Sequence, residues 1–284
     1  PGVLPLFGDD SYGGMLREAI AVRSRIATEP GDTLEQVRAK ERALTTLHLE
    51  GAAVERWKAV CDAWCGAWFG VRGRRRESMP FGAIADQILG RGSLPGHVAA
   101  PLLAETRTTA ARERFFHWTF EFPEVFHDAA GDPLPDPGFD AIVGNPPWEM
   151  LRGDRGDAGA RETARTGAAR LTDFARGSGV YSAQGEGHVN LYHLFLERSL
   201  DLLRRGGRLG MLLPSGLATD RGAAALRRRL LDRHQIDSLI SIENRDRMFP
   251  VHRSLKFLLI SATAGGGTTE LPCRFGVRRP EALE

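Results

Sequence analysis

The sequence predicts an α/β protein in which a mainly helical segment is followed by a parallel sheet of about four strands. Two observations support this fold class. Apolar residues recur at helical spacing through much of the N-terminal part, and from Phe139 onward short apolar runs alternate with amphipathic stretches. Strand, helix, strand is the order of a doubly wound parallel sheet, which binds its ligands at the carboxyl ends of the strands.

The helical segment occupies residues 9–70, with a break at Pro30-Gly31. Thr33 begins a Thr-x-x-Gln capping box, which marks the start of a new helix. A further helix is expected from about His97 to Phe115. Apolar residues with helical spacing follow the capping box, namely Leu34, Val37, Leu44, Leu47, Val54, Trp57, Cys61, Trp64 and Trp68.

Four apolar runs bounded by turn signals are expected to be buried strands. Between them we expect helices over about Val189 to Arg204, stopped by Gly206-Gly207, and over Ala223 to His234. A connection rich in Gly, Arg and Ala separates the first strand from the first of these helices. The predicted strands are Phe139–Gly144, Arg208–Pro214, Ile236–Ile242 and Leu255–Ala262.

Composition excludes several classes of protein. The chain contains no apolar run of about 18 residues and no leader-like start, so we expect neither membrane insertion nor secretion, and a cytoplasmic location follows. Its three cysteines, Cys61, Cys65 and Cys273, indicate reduced thiols and not a disulfide framework. The eight histidines are dispersed, and no metal site is expected.

The net charge of +2 says little about nucleic acids. Basic clusters at Arg72–Arg76, Arg227–Arg229 and Arg278–Arg279 could neutralise phosphates, although each one alone is more simply a solvated face.

The segment Asn145-Pro146-Pro147-Trp148 directly follows the first predicted strand. An exocyclic adenine amine is a poor nucleophile because its lone pair is delocalised into the ring. The Asn145 amide oxygen and the Pro146 carbonyl could both accept hydrogen bonds from such an amine and localise its lone pair. Two prolines stiffen the turn, and Trp148 offers a face on which a base rotated out of a duplex could stack. The alternative is a rigid turn without chemistry.

In combination, several segments resemble the central catalytic region of adenine-specific (N6) DNA methyltransferases of the type IIG restriction-modification and phage-defence kind. The resemblance covers about Phe115 to Ala262 and implies a Rossmann-like methyltransferase sheet, of which this chain holds the C-terminal half. It also implies S-adenosyl-L-methionine as cofactor, double-stranded DNA as substrate, and a helical insertion before the catalytic strand. The segments are FHWTFEFPEVF, GFDAIVGNPPW, HVNLYHLFLERSLDLLRRGGRLGMLLPSGLATDRGAAALRRRLL and MFPVHRSLKFLLIS.

The same resemblance assigns roles to individual residues. It implies that Asn145, Pro146 and Pro147 hold the amine and that Trp148 stacks on the flipped base. Asp140 and Asn145 are expected near the cofactor. Further substrate contacts are expected, with Trp148, from Asn190, Tyr192 and Phe257.

Two features of this family are not found in the sequence. No glycine-rich turn between a strand and a helix precedes Phe139, and only a short segment follows Ala262. We therefore expect an N-terminal cofactor-binding region and a C-terminal target-recognition region to be supplied in cis or in trans. The predicted domains are a helical insertion (1–115), a catalytic core (116–265) and a tail leading to the missing downstream region (266–284).

Other functions remain open at this point. The same Asn-Pro-Pro-aromatic arrangement serves methyltransferases that act on glutamine amides of proteins or on guanine amines of ribosomal RNA. A non-catalytic scaffold derived from a methyltransferase is a further alternative. A nuclease is not expected, since no Asp/Glu-x-Lys arrangement lies on a predicted strand.

Overall fold

The computed structural model describes residues 10–49, 51–70, 81–148, 158–185, 189–250 and 252–283. The chain divides into two compact units, a helical unit that ends at Pro137 and a sheet unit that begins at Gly138. The aromatic stretch after residue 115, which the sequence assigned to the catalytic core, therefore groups with the helices.

The helical unit contains the break predicted at Pro30-Gly31 and the capping box at Thr33. The Thr33 hydroxyl accepts from the Gln36 amide N–H (3.2 Å), and the Gln36 side chain accepts from the Thr33 N–H (3.0 Å). Apolar residues of this unit pack around the buried Trp57. The described helices are α1 (Asp10–Thr28), α2 (Leu34–Leu47), α3 (Ala53–Phe69), α4 (Phe81–Ile88), α5 (Gly96–Glu113) and two single turns, α6 (Trp118–Glu121) and α7 (Pro123–Phe126).

The predicted apolar stripe is buried at Val54 and Trp57 of α3 and half-buried further along that helix, but most of it is exposed on α2, where the Leu34 side chain is 66% exposed. Helical spacing predicts which residues share a face of a helix but not what covers that face. Most of the apolar face of α2 stays exposed among the described residues.

The sheet unit alternates helices with strands, and the α/β class is confirmed. Its core is formed by leucines of two helices packed on the sheet, among them Leu196 and Leu226. The described elements are β1 (Phe139–Gly144), α8 (Ala158–Gly177), α9 (Leu191–Leu202), β2 (Leu203–Pro214), the single turn α10 (Gly216–Thr219), α11 (Ala224–Arg233), β3 (His234–Glu243), β4 (Lys256–Ala264) and β5 (Cys273–Val277).

Among the described residues, five strands form one sheet in the order β1-β2-β4-β3-β5. β1 is parallel to β2 and β5 is parallel to β3, but β4 is antiparallel to both of its neighbours. The expectation of a wholly parallel sheet is therefore wrong. The described residues between β3 and β4 form a short 3-10 turn and bends instead of a crossover helix, so β4 returns antiparallel beside β3.

Three further expectations need correction. The segment after residue 265 is not only a tail, because Cys273–Val277 pairs with β3 as a fifth strand. The Ala-rich connection contains the 20-residue helix α8, since alanine and arginine favour helix despite the glycines. Gly206-Gly207 does not stop a helix; it lies inside β2, where a Cβ on Gly207 would come within 2.8 Å of the Phe139 carbonyl oxygen.

Candidate active site at the carboxyl edge of the sheet

Strand register brings four chain segments to one edge of the sheet unit. Gly144 at the end of β1 lies opposite Met211, three residues before the end of β2. At the same end, Pro214 of β2 pairs with Phe257 near the start of β4, and Lys256 pairs with Glu243 at the end of β3. This carboxyl edge is where open α/β sheets bind their ligands.

The Asn145-Pro146-Pro147-Trp148 segment leaves β1 at this edge. Asn145 and Pro147 are exposed, whereas Pro146 between them is buried. The buried proline fixes φ and anchors the turn, so the exposed amide of Asn145 is held on a stiff backbone. The turn can thus present the amide oxygen of Asn145 to an incoming amine.

Trp148 lies half-buried against the aromatic side chains of β4 and of the segment before it. Its ring centroid is 5.0 Å from that of Phe257, at an interplanar angle of 39°, and Phe249 contacts Phe257 edge-on at 5.4 Å. The Trp148 Nε1 is buried and has no hydrogen-bond partner within the described part of the chain. Phe257 is only 1% exposed, so its ring supports Trp148 and does not offer a face to a base.

Asn244 fixes the loop that carries Phe249. Its side chain is fully buried, donates from Nδ2 to the Phe249 carbonyl (3.0 Å) and accepts at Oδ1 from the Phe249 N–H (2.9 Å). Both backbone groups of Phe249 are thereby satisfied by one amide. The sequence reasoning missed this residue, although a polar side chain directly after an apolar strand was a signal for it.

Tyr192 is buried (3% exposed) close to the turn that follows β2. A Cβ on Gly216 would lie 3.3 Å from the Tyr192 hydroxyl and 2.4 Å from the Asp220 Oδ2, so any other residue here would push the exposed Asp220 carboxylate aside. Burial raises the pKa of Tyr192 to about 12, and the charge of Asp220 acts in the same direction. The hydroxyl therefore stays protonated at neutral pH. Asn190, at the N-cap of α9, is also buried, and its side chain makes no capping hydrogen bond.

A buried carboxylate, Glu197 on α9, anchors the segment that leads to Asn190. It is fully buried and accepts from the N–H groups of Ser182 (2.6 Å) and Ala183 (2.8 Å), and its Oε1 pairs with Arg229 Nη1 (3.1 Å). Sequence reasoning missed Glu197 as well. An acidic residue at helical spacing from Leu194 and Leu200, both buried, was its only signal.

Asp140 does not lie near Asn145. It is the second residue of β1, and four strand residues lie between it and Asn145, which places the two roughly 16 Å apart. Its carboxylate, 85% exposed, pairs with the Arg204 Nε at 2.6 Å. The structure thus places Asp140 at the amino end of the sheet, and we remove it from the candidate site.

Groups for metal or thiol chemistry are not assembled here. No cluster of three or more His, Cys, Asp or Glu side chains suited to a metal occurs in the part of the chain that the structure describes. Burial raises the pKa of Cys61 and of Cys65 to about 12, which leaves both as inert thiols.

No helix within the described ranges has the length and apolarity needed to cross a bilayer.

Several solved structures have weak similarity to this chain. A putative class I S-adenosylmethionine-dependent methyltransferase from Listeria monocytogenes shows 12% identity over 93% of this chain and 85% of its own, with a TM-score of 0.33. A modification subunit of a putative type I restriction enzyme from Vibrio vulnificus shows 16% identity over 45% of this chain, with a TM-score of 0.32. A type I restriction-modification structure shows 17% identity over 88% of this chain, with a TM-score of 0.32.

The chain spans only 23% and 50% of the lengths of the two restriction-modification structures. At such TM-scores we assign no role from these likenesses. None of the curated proteins matches the chain.

The family comparison is stronger. The model of the Eco57I restriction-modification methylase family matches residues 83–249, more than half of the 284 residues, and this range includes β1 and the Asn145–Trp148 turn. The chain therefore belongs to the Eco57I restriction-modification methylase family.

Proposed function

We propose that this chain is the catalytic part of an adenine-specific (N6) DNA methyltransferase of the type IIG restriction-modification or phage-defence kind. Family membership supports methylation within a restriction-modification system. The proposal that the methyl group goes to the N6 amine of adenine rests on one observation. The exposed Asn145 amide lies at the carboxyl end of β1, on a turn anchored by the buried Pro146. A scaffold protein would have no use for that arrangement.

In the proposed reaction the adenine amine donates its two N–H groups to the Asn145 Oδ1 and to the Pro146 carbonyl oxygen. These hydrogen bonds draw the nitrogen toward tetrahedral geometry, so its lone pair becomes available to a methyl donor. Trp148 stacks on the flipped-out base, and the buried Phe257 holds the indole from the other side. Tyr192 and Asn190 shape the neighbouring wall near the end of β2.

The proposed methyl donor is S-adenosyl-L-methionine, but the described residues do not build its main pocket. β1 is the first strand in the described part of the chain, so no glycine-rich turn between a strand and a helix precedes it there. In this proposal the described residues bind the adenine amine that receives the methyl group, and not the main part of the methyl donor.

β1 offers a place where the rest of the enzyme could join. Among the described residues it is an edge strand that pairs only with β2, and Val143 on it is 86% exposed. The N–H and C=O groups on the outer side of an edge strand can pair with a further strand. We propose that an N-terminal cofactor-binding region, in cis or in trans, completes the sheet at β1, and that a separate C-terminal region recognises the DNA target.

Methylation in cells tests the role of Asn145. The chain is expressed together with its flanking reading frames in a host without adenine methylation, and N6-methyladenine is measured by mass spectrometry of digested DNA. Asn145→Ala should lower methylation about 100-fold or more, because an acceptor aimed at the transition state is lost. Asp140→Asn, the matched control at the other end of β1, should methylate like the parent. If the Asn145→Ala variant methylates DNA at the parental level, the proposal is wrong.

Calorimetry tests the proposed division of the enzyme. S-adenosyl-L-methionine is titrated into this chain alone and into its mixture with the neighbouring polypeptide that carries a glycine-rich turn. Binding only in the mixture supports a donor pocket completed by another region. Absence of binding in both would favour the non-catalytic scaffold.

A further inference from the structure

Six exposed basic side chains gather at the ends of β3, β4 and β5. Within residues 243–256 and 278–279 they face only two carboxylates, Glu243 and Asp246, which leaves four excess positive charges in a few short segments. The whole chain has an excess of only two. We call this group the basic rim; its members are Arg245, Arg247, Arg253, Lys256, Arg278 and Arg279.

Strand register places the basic rim on one edge of the sheet. Glu243, the last residue of β3, lies opposite Lys256, the first residue of β4. Val277 at the end of β5 pairs with Ile242 of β3, so the two arginines that follow Val277 emerge at the same end. This is also the edge from which Asn145 leaves β1. The basic rim and the amide turn thus belong to one side of the sheet unit.

Internal ion pairs neutralise the basic rim only in part. Glu243 is shared by three cations, with the nearest contacts to Lys256 and Arg278 at 3.1 Å. Asp246 pairs loosely with Arg279 at 3.7 Å. These pairs lie at an exposed surface and are individually weak. The cationic excess is therefore available to an anionic partner.

The first part of the loop that carries half of the basic rim, from Asn244 to Phe249, is held by side-chain hydrogen bonds. The buried Asn244 makes two hydrogen bonds to Phe249, in the middle of that loop. A groove of about 430 Å³, lined in part by Asp246, Arg278 and Arg279, opens beside it. A preformed charged surface loses little conformational entropy when it binds.

We propose that the basic rim binds the phosphate backbone of the DNA duplex beside the base that Asn145 receives; this inference rests on the proposed function. With strands about 4.8 Å apart, β3 and β5 lie roughly 14 and 19 Å from β1 across the sheet. A duplex carries one negative charge per about 1.7 Å of its axis, so several phosphates fall within that span. An acidic protein could satisfy the same charges, but DNA is the partner already required at this edge.

A salt titration of DNA binding tests the inference. Binding of a fluorescent 30-base-pair duplex to the full chain is followed by anisotropy between 50 and 200 mM salt. The variant Arg247→Gln/Arg253→Gln/Arg279→Gln removes three charges of the basic rim. The matched control, Arg205→Gln/Arg208→Gln/Arg233→Gln, removes three exposed charges at the amino end of the same sheet.

Each lost phosphate contact lowers the salt slope by about 0.9, so the slope should fall by about 2.7 in the rim variant. Over the fourfold salt range, the parent's affinity should therefore drop about 40-fold more than the variant's. The control should keep the parental slope. Equal slopes for the parent and the rim variant, or an equal loss in the control, would overturn the inference. Thermal melting at the parental temperature shows that each variant is folded.

The two proposals fail in different ways. If methylation depends on Asn145 but the rim variant binds DNA like the parent, the basic rim is not the DNA surface. If that variant instead loses binding to poly-glutamate, the basic rim serves an acidic protein, and the DNA inference is wrong. If rim-dependent DNA binding persists in a complete system that never methylates adenine, the proposed function fails and the basic rim stands.

Discussion

Replacing the buried Glu197 by alanine is expected to destabilise the sheet unit more than a single substitution on the surface of that unit does. The carboxylate is fully buried and accepts from the N–H groups of Ser182 and Ala183, from the Gln184 side chain (2.6 Å) and from Arg229. Alanine leaves all of these donors without their acceptor in a site that a methyl group cannot fill.

The magnitude follows from these contacts. A buried donor left unsatisfied costs about 1–3 kcal/mol. Breaking a buried ion pair by removing one partner costs about 3–5 kcal/mol. Arg229 keeps a second partner, Asp201, which reduces its share of the loss. We therefore expect Glu197→Ala to lower the free energy of unfolding by about 3–5 kcal/mol and the melting temperature by about 10 °C.

Urea denaturation followed by circular dichroism measures this change. Glu197→Gln keeps the shape and one acceptor oxygen and should cost about half as much. Glu162→Ala, on the exposed surface of α8, should stay within about 0.5 kcal/mol of the parent. A loss below about 1 kcal/mol for Glu197→Ala, with unchanged cooperativity, would show that the carboxylate does not hold the segment at Ser182.

Two further predictions concern thiols and pH. Burial raises the pKa of Cys61 and Cys65 to about 12, so a thiol reagent at pH 8 should label only the exposed Cys273 in the folded chain. After unfolding it should label all three cysteines. Rapid labelling of a second thiol in the folded chain would contradict this prediction. Burial also lowers the pKa of His193 and His234 below 6.5, so their contribution to stability is complete above pH 6.5 and is lost as the pH falls below it. The melting temperature should therefore drop between pH 7.5 and 5.5, and by less in a His193→Gln/His234→Gln variant; an equal drop in both proteins would refute that assignment.

The sequence predicted the elements of the sheet unit better than their directions. Apolar runs located β1 to β4, although no residue of β1 is buried and Val143 on it is 86% exposed. The direction of β4 depends on the loop that Asn244 folds back, which periodicity does not encode. β5 was missed because four of its five residues are exposed, Phe275 to 72%, so pairing with β3 and not hydrophobicity defines it.

The candidate site was predicted in part for a similar reason. Asn145 was singled out because the chemistry proposed for it involves adjacent residues of the chain. The family resemblance placed Asp140 near the cofactor, whereas an extended strand separates it from Asn145 by roughly 16 Å. Glu197 and Asn244 act through partners that are distant from them in sequence or hidden in a loop, and such contacts become visible only in the folded chain.

The strand that leads to the proposed catalytic amide, β1, is also an edge strand of the sheet in the described structure, and its outer side pairs with no other described strand. A row of open N–H and C=O groups accepts any chain able to extend beside it, including a second copy of this one. Concentrated samples of the isolated polypeptide should therefore self-associate through β1. In the complete enzyme the same row would couple chemistry to assembly, since the segment that covers it would stiffen the strand that presents Asn145.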